Sequence, residues 1–329
     1  MTLVHVVAAP DKFRGTATAA EAAAAIAEAV ESLGHTCDQV PMADGGEGTL
    51  EALGGPNRTT TVTGPLGEAV EAEWRYERRR AVIEMARASG LALAGGAEGN
   101  DPIAASTTGT GELIAHAVAS GAHHIVVGVG GSATTDGGLG ALRALYPLPR
   151  MRGVELVVAC DVRTTFVDAG AVFAPQKGAS PSQVRLLTGR LERLADVYLH
   201  DHGVDVRQLI GSGAAGGLAG GLAAVGARLE SGFEVVAEEV ALLDRLEGAD
   251  LVITGEGFLD AESFDGKTVG GVAALAAELG IRCVAVAGRC FDGADARIES
   301  YSLVEACGEE QALTDTAACI AKVVAAALR

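Results

Sequence analysis

The chain has 329 residues, 49% of them hydrophobic, and its 43 acidic against 25 basic side chains leave a formal net charge of −18. That length suits two domains better than one, and the charge opposes nucleic acid or an anionic membrane as partner, since both call for a positive field. With no uninterrupted apolar run of about 18 residues and no basic leader at the start, a cytoplasmic protein is expected.

The run Leu3 to Ala9 predicts a buried strand, followed by a turn at 11–15 and an alanine-rich helix from Thr18 to Leu33 that stops at Gly34. A short strand over His35–Val40 leads into Pro41-Met-Ala-Asp-Gly-Gly-Glu-Gly48, a glycine loop with two acids that opens another helix. The stretch Thr59–Glu84 alternates like an antiparallel hairpin. From Ser106 an α/β rhythm resumes: a helix to Ser120, a strand from Ile125, a helix across Gly138–Tyr146, and a strand Val154–Cys160. Helices are expected over Ser182–Leu199 and Ala214–Leu229, then a strand 249–254, a helix 268–279, a strand 282–287 and a terminal helix 314–328. Alternation of this kind predicts an α/β protein whose parallel or mixed sheets are covered by helices. The expected arrangement is a Rossmann- or flavodoxin-like lobe from residues 1–60 and 280–329, a second α/β lobe inserted at 61–279, and an active-site cleft between them. Ligands in such folds bind beyond the carboxyl ends of the strands, where the glycine and acid loops fall.

The segment Ile125 to Gly138 is a β-branched strand emptying into a turn rich in glycine and hydroxyls. Glycines let backbone N–H groups converge on an anion, and Gly130, Gly131, Ser132, Thr134 and Thr135 are the candidate phosphate ligands. Asp136 in the same turn is either a cap of the following helix or, beside a phosphate, a holder of Mg²⁺ in phosphoryl transfer. Gly211-Ser-Gly-Ala-Ala-Gly216 matches the dinucleotide fingerprint, but Gly232–Glu239 reads as helical or irregular where the second strand of that unit belongs. Gly213, Gly216 and Gly217 therefore read as a helix start aimed at phosphate or as close helix packing. Asp265-Gly-Lys-Thr268 lacks the first glycine of a P-loop, and Lys177, after Phe173-Ala-Pro175, is a candidate cleft cation. Asp11, Asp44, Glu47, Asp136, Asp161, Glu256 and Asp260 all stand beside glycines at strand ends, and each is either a turn former or part of a convergent acid cluster. The six cysteines are dispersed without zinc spacing, so neither a disulfide nor a zinc site is expected.

Together, Ala9-Pro-Asp-Lys-Phe-Arg-Gly-Thr16, Met42-Ala-Asp-Gly-Gly-Glu-Gly-Thr49, Thr107-Thr-Gly-Thr-Gly-Glu112, Gly128–Gly138, Ala159-Cys-Asp-Val162, Phe173-Ala-Pro-Gln-Lys-Gly178, Gly213–Gly217 and Ile253-Thr-Gly-Glu-Gly257 resemble the bacterial type-1 glycerate kinases from end to end. The resemblance implies transfer of phosphate from Mg-ATP to D-glycerate, commonly giving 2-phosphoglycerate, by a monomer or homodimer. On that basis Asp44, Asp136, Asp161 and Lys177 are expected to carry the chemistry, with Mg²⁺ on Asp136 and Asp260. Asp11, Lys12, Arg14 and Glu47 are expected to receive glycerate, and ATP to meet Gly130, Gly131, Ser132, Thr134, Thr135, Gly213, Gly216, Gly217 and Glu256. The chain departs from the family pattern at Phe258, where an arginine is usual, at Glu262-Ser263, at Arg163-Thr-Thr-Phe166 and in a short 146–154 connection. A catalytically impaired paralogue that binds a hydroxyacid or nucleotide as a sensor is the alternative.

Overall fold

The computed structural model describes residues 3–13, 15–264, 266–291 and 297–328. The chain divides into two compact units, one of residues 1–44, 51–53 and 233–329, the other of residues 45–50 and 54–232. Residues 233–279, expected in the inserted segment, belong to the first unit because their strand pairs on both sides with strands of that unit.

In the first unit, β1 (His5–Pro10) lies between β2 (Thr36–Gln39) and β9 (Leu251–Leu259), and β10 (Arg282–Cys290) and β11 (Glu299–Ser302) complete a sheet of order β11-β10-β9-β1-β2. Every pairing is parallel. Val6, Val7, Ala8 and Ala9 are fully buried, the continuous apolar run that a strand covered on both faces requires. The Ala19–Ser32 helix starts on a capping box, with the Thr18 side chain accepting from the Glu21 amide and Glu21 reaching back to the Thr18 amide. Its Ala22, Ala25, Ile26, Ala29 and Val30 repeat at helical spacing and pack into a core with Ile320 and Val323. Numbered within the unit, the strand order is 2-1-3-4-5, whose switch point lies at the carboxyl ends of β1 and β9, where ligands of doubly wound sheets bind.

The second unit has a mixed sheet, β3 (Arg58–Thr63), β4 (Ala69–Glu77), β5 (Arg80–Glu84), β6 (His124–Gly128), β7 (Glu155–Ala159) and β8 (Arg228–Glu230), in that spatial order. The first two pairings are antiparallel, as the alternating sequence predicts, and those from β5 onward are parallel. Two strands depart from the sequence reading. Helix is expected through Leu229, but it ends at Ala224 and residues 228–230 form β8, pairing with an edge of β7 that would otherwise lack a partner. Polar, four-residue β11 carries no apolar alternation to announce it. No helix among the described residues is long and apolar enough to cross a membrane.

The glycines at 213–217 are fully enclosed and serve packing. The Gly213 amide donates to the Thr164 carbonyl and the Gly217 amide to the Gly213 carbonyl, while the Gly216 carbonyl accepts from the Gly137 amide. Gly216 has φ +65, and a Cβ there would sit 2.0 Å from the Thr134 carbonyl oxygen. Close backbone approach thus accounts for glycine at 213, 216 and 217 in this fold. Gly216→Ala is expected to cost about 1–3 kcal/mol by combined overpacking and positive-φ strain, measured as a lower denaturation midpoint; an unchanged midpoint would contradict this packing role.

Candidate active site

In the second unit, β6 leads into a turn that stays fixed because other segments tie it down. Ser132 bridges Gly90, the Leu91 amide donates to the Gly131 carbonyl, and the Ala133 amide donates to the Ser89 carbonyl. Gly130 has to lack a side chain, since a Cβ would meet the Gly46 Cα at 2.7 Å. Among the described residues, the amides of Gly130, Gly131 and Ser132 donate to no protein acceptor, and Gly131 is exposed, so this short stretch has the unspent donors of an anion nest.

Lys177 lies beneath the turn, only 3% exposed, with Nζ donating to Ser132 Oγ at 2.7 Å and to the Thr134 carbonyl at 2.6 Å. Burial lowers its pKa from 10.5 to about 7, partly opposed by the charge of Asp136. Asn100, which sequence reasoning missed, donates from Nδ2 to the carbonyls of Ala133 and Lys177 and keeps a buried Oδ1 without a partner. Glu84, also missed, is 2% exposed at the end of β5, and its Oε1 accepts the amides of Gly48 and Leu50, fixing the second glycine loop. An acid closing the apolar run Ala81-Val-Ile was the available signal.

Asp136 has a different use from the one expected of a metal ligand. Its carboxylate accepts from the Thr107 amide and hydroxyl and from the amides of Gly138 and Gly140, at 2.9 to 3.1 Å. Three of the donors fall on Oδ2 and the Gly138 amide on Oδ1, with the Thr107 hydroxyl shared between the two oxygens, so Asp136 holds the start of the Leu139–Leu145 helix and ties it to Thr107. Asp161 likewise accepts the Gly232 amide at 3.1 Å. Thr134 and Thr135 are buried, and Thr135 Oγ1 has no partner. Glu47 is exposed in the same unit.

The first unit gathers acids at its switch point. Asp11 follows β1, its amide donating to the Gly255 carbonyl, and Glu256 is the next residue of β9. Asp11 Oδ1 accepts the Lys12 amide at 2.6 Å and Oδ2 the Thr268 hydroxyl at 2.8 Å. Burial, with the Asp44 charge nearby, raises its pKa. Burial also lifts Glu256 to about 7, helped by Asp11 and Asp260 and opposed by Ser263 and Lys267, and its Oε1 is buried without a partner. Asp260 closes an Asx turn, accepting the amides of Glu262 and Ser263, so its carboxylate is locally engaged. Arg14 lies outside the described residues. Phe258 is 55% exposed and packs beside Phe291. No group of three His, Cys, Asp or Glu among the described residues is arranged to hold a metal alone; Mg²⁺, however, commonly takes one or two carboxylates and completes its shell with substrate phosphates and water. Asp11, with the Asp44 charge beside it, fits such partial ligation better than Asp136 and Asp260 do.

Two measurements test these assignments. Between pH 7 and 10.5 the folded chain holds fewer protons on Lys177 than the unfolded chain, so this residue makes stability rise with pH across that window and is most unfavourable below it. Lys177→Met is therefore expected to stabilise the protein more at pH 6 than at pH 9; equal effects at both would contradict a buried, depressed lysine. Asp136→Ala is expected to cost about 3 kcal/mol or more, because several charge-assisted hydrogen bonds are lost together. If it left the melting temperature unchanged and affected only activity, the capping role would be wrong.

The glycerate kinase family model matches residues 6–146 and 147–329. The glycerate 2-kinase of Escherichia coli strain K12 is 39% identical in an alignment covering 88% of this chain and 86% of that protein. The glycerate kinase of Halalkalibacterium halodurans is 38% identical, covering 91% and 90%. A crystal structure of a candidate glycerate kinase 2 from Salmonella typhimurium LT2 superposes with a TM-score of 0.85 at 35% identity, covering 99% of this chain and 98% of that one. With its motifs, its two α/β units and these relatives in agreement, the chain belongs to the glycerate kinase family.

Proposed function

We propose that this protein transfers the terminal phosphoryl group of Mg-ATP to the 2-hydroxyl of D-glycerate. The observation that carries the reading is the buried Lys177 ammonium beneath the free amides of Gly130, Gly131 and Ser132: a fixed cation and an anion nest in one turn. Phosphoryl transfer depends mainly on positioning and charge neutralisation, which this arrangement supplies without reorganisation. A bound phosphate would favour the charged lysine, so Lys177 is an ammonium when nucleotide is present.

For the acceptor, Lys12 offers a cation to the glycerate carboxylate, with Arg14 in the same role from its place in the motif. Glu256 accepts the hydroxyl proton on its unpartnered Oε1; a carboxylate with a pKa about 7 is matched to general-base work at neutral pH. Asp11 and Asp44 would hold the divalent ion, which supplies countercharge to the phosphates. Glu256 rather than Asp136 takes the base role in this reading, because the Asp136 carboxylate is already held by four donors. Relatives named glycerate kinase and glycerate 2-kinase support the choice of substrate.

The test is coupled ADP release with D-glycerate and Mg-ATP, with the product identified by ³¹P NMR. Turnover to 2-phosphoglycerate is expected, whereas binding of both substrates without turnover would favour the sensor reading. In the free enzyme, activity needs Glu256 ionised and Lys177 protonated, so kcat/KM for ATP should peak near pH 7 and fall on both sides. Glu256→Gln is expected to remove the acid limb and lower kcat by about 10²–10⁴-fold; retention of that limb would transfer the base role to another residue.

A further inference from the structure

Thr268 is the first residue of the Thr268–Glu278 helix in the first unit and is buried, yet its hydroxyl plays no part in capping that helix. It donates instead to Asp11 Oδ2 at 2.8 Å, across 257 positions of sequence. A buried hydroxyl has to be paired, and threonines near a helix start usually bond locally within their own turn. Here the one proton is spent on a carboxylate from another element. A valine would fill much the same space and leave no buried polar atom to satisfy, so the hydroxyl calls for an account in terms of Asp11.

Asp11 is held at three points. Its backbone amide donates to the Gly255 carbonyl of β9 at 2.8 Å, Oδ1 accepts the Lys12 amide at 2.6 Å, and Oδ2 accepts Thr268. With one donor on each oxygen, the carboxylate cannot turn about its own axis without losing a bond, and it keeps acceptor capacity on both oxygens. Fixed direction matters for a magnesium ligand in particular, because that ion demands near-ideal octahedral geometry and tolerates little misalignment. We propose that Thr268 is a positioning residue for the divalent ion: it does not touch the ion, and its hydroxyl sets the rotation of the Asp11 carboxylate that does. This rests on the reading of Asp11 as a holder of the ion and adds the side chain that aims it.

Mn²⁺ alone is the probe, the free aqua ion being counted by electron paramagnetic resonance as protein is added, with the melting temperature of each variant read alongside. Wild type is expected to bind Mn²⁺ and Asp11→Asn to bind it far more weakly. Thr268→Val keeps the bulk and loses the donor, so it is expected to weaken Mn²⁺ about 10–100-fold, the usual cost of removing a group that orients a metal ligand, while Thr268→Ser stays within about threefold of wild type. Where the valine variant melts too low to assay, Thr268→Ala serves the same comparison. Rescue by serine is the signature that a mere tie between β1 and the helix would not give. Wild-type affinity in Thr268→Val, beside a weakened Asp11→Asn, overturns the positioning role and leaves Asp11 as holder of the ion. A serine variant as weak as the valine one overturns it too, since the fit of the side chain rather than its hydroxyl would then decide. Undiminished binding in Asp11→Asn, or none in wild type, overturns the ion reading of Asp11 and the positioning role with it.

Discussion

The buried ammonium of Lys177 is the constraint on which the glycine turn of the second unit depends. An isolated charge away from water is costly, and here it is offset by only two acceptors, Ser132 Oγ and the Thr134 carbonyl, with the field of Asp136 behind them. Both acceptors belong to the glycine turn, so the lysine draws that turn inward at two points while the Gly90–Ser132 bridge and Asn100 hold it from the other side. The turn therefore keeps one shape with its amides unspent. In the function proposed above, an arriving phosphate would offer the lysine the countercharge that the protein withholds and so turn an unfavourable element of the fold into a favourable one for binding.

The first unit uses the opposite charge in a related way. Its 2-1-3-4-5 sheet order puts Asp11 and Glu256 at the switch point, where the flanking connections leave in opposite directions. Burial raises both carboxyls, helped by the Asp44 charge at Asp11 and by Asp11 and Asp260 at Glu256, which is lifted to about 7. A cation or a transferable proton relieves that cost. Both units thus hold buried ionisable groups with shifted pKa values, as functional sites commonly do.

Much of this was legible in the sequence, because hydrophobic runs and glycine loops are local signals. The strand before Gly130, the antiparallel stretch at 58–77 and the acids at strand ends were readable directly. What local sequence could not decide was which of two uses a residue serves. Asp136 looks the same as a cap or a metal ligand, and the choice is made by Thr107, 29 residues earlier. Gly213–Gly217 looks the same as a phosphate loop or a packing interface, and Thr134 and Thr164 decide it from across the fold. Glu84 and Asn100 escaped notice because their significance lies in partners 34 or more residues away for Glu84 at Leu50, and 33 and 77 residues away for Asn100. The strands β8 and β11 were lost for a similar reason: short and polar, they exist because a neighbouring edge offers hydrogen bonds.

The central claim is that the Gly130–Ser132 amides hold phosphate above Lys177. It is tested most directly by amide hydrogen exchange at residues 130–132 with and without ATP. Slowed exchange at these amides with ATP and with inorganic tripolyphosphate, and little change with adenosine, is the result this account requires. Exchange at the turn that is indifferent to saturating ATP, in a protein that still phosphorylates glycerate, would contradict it.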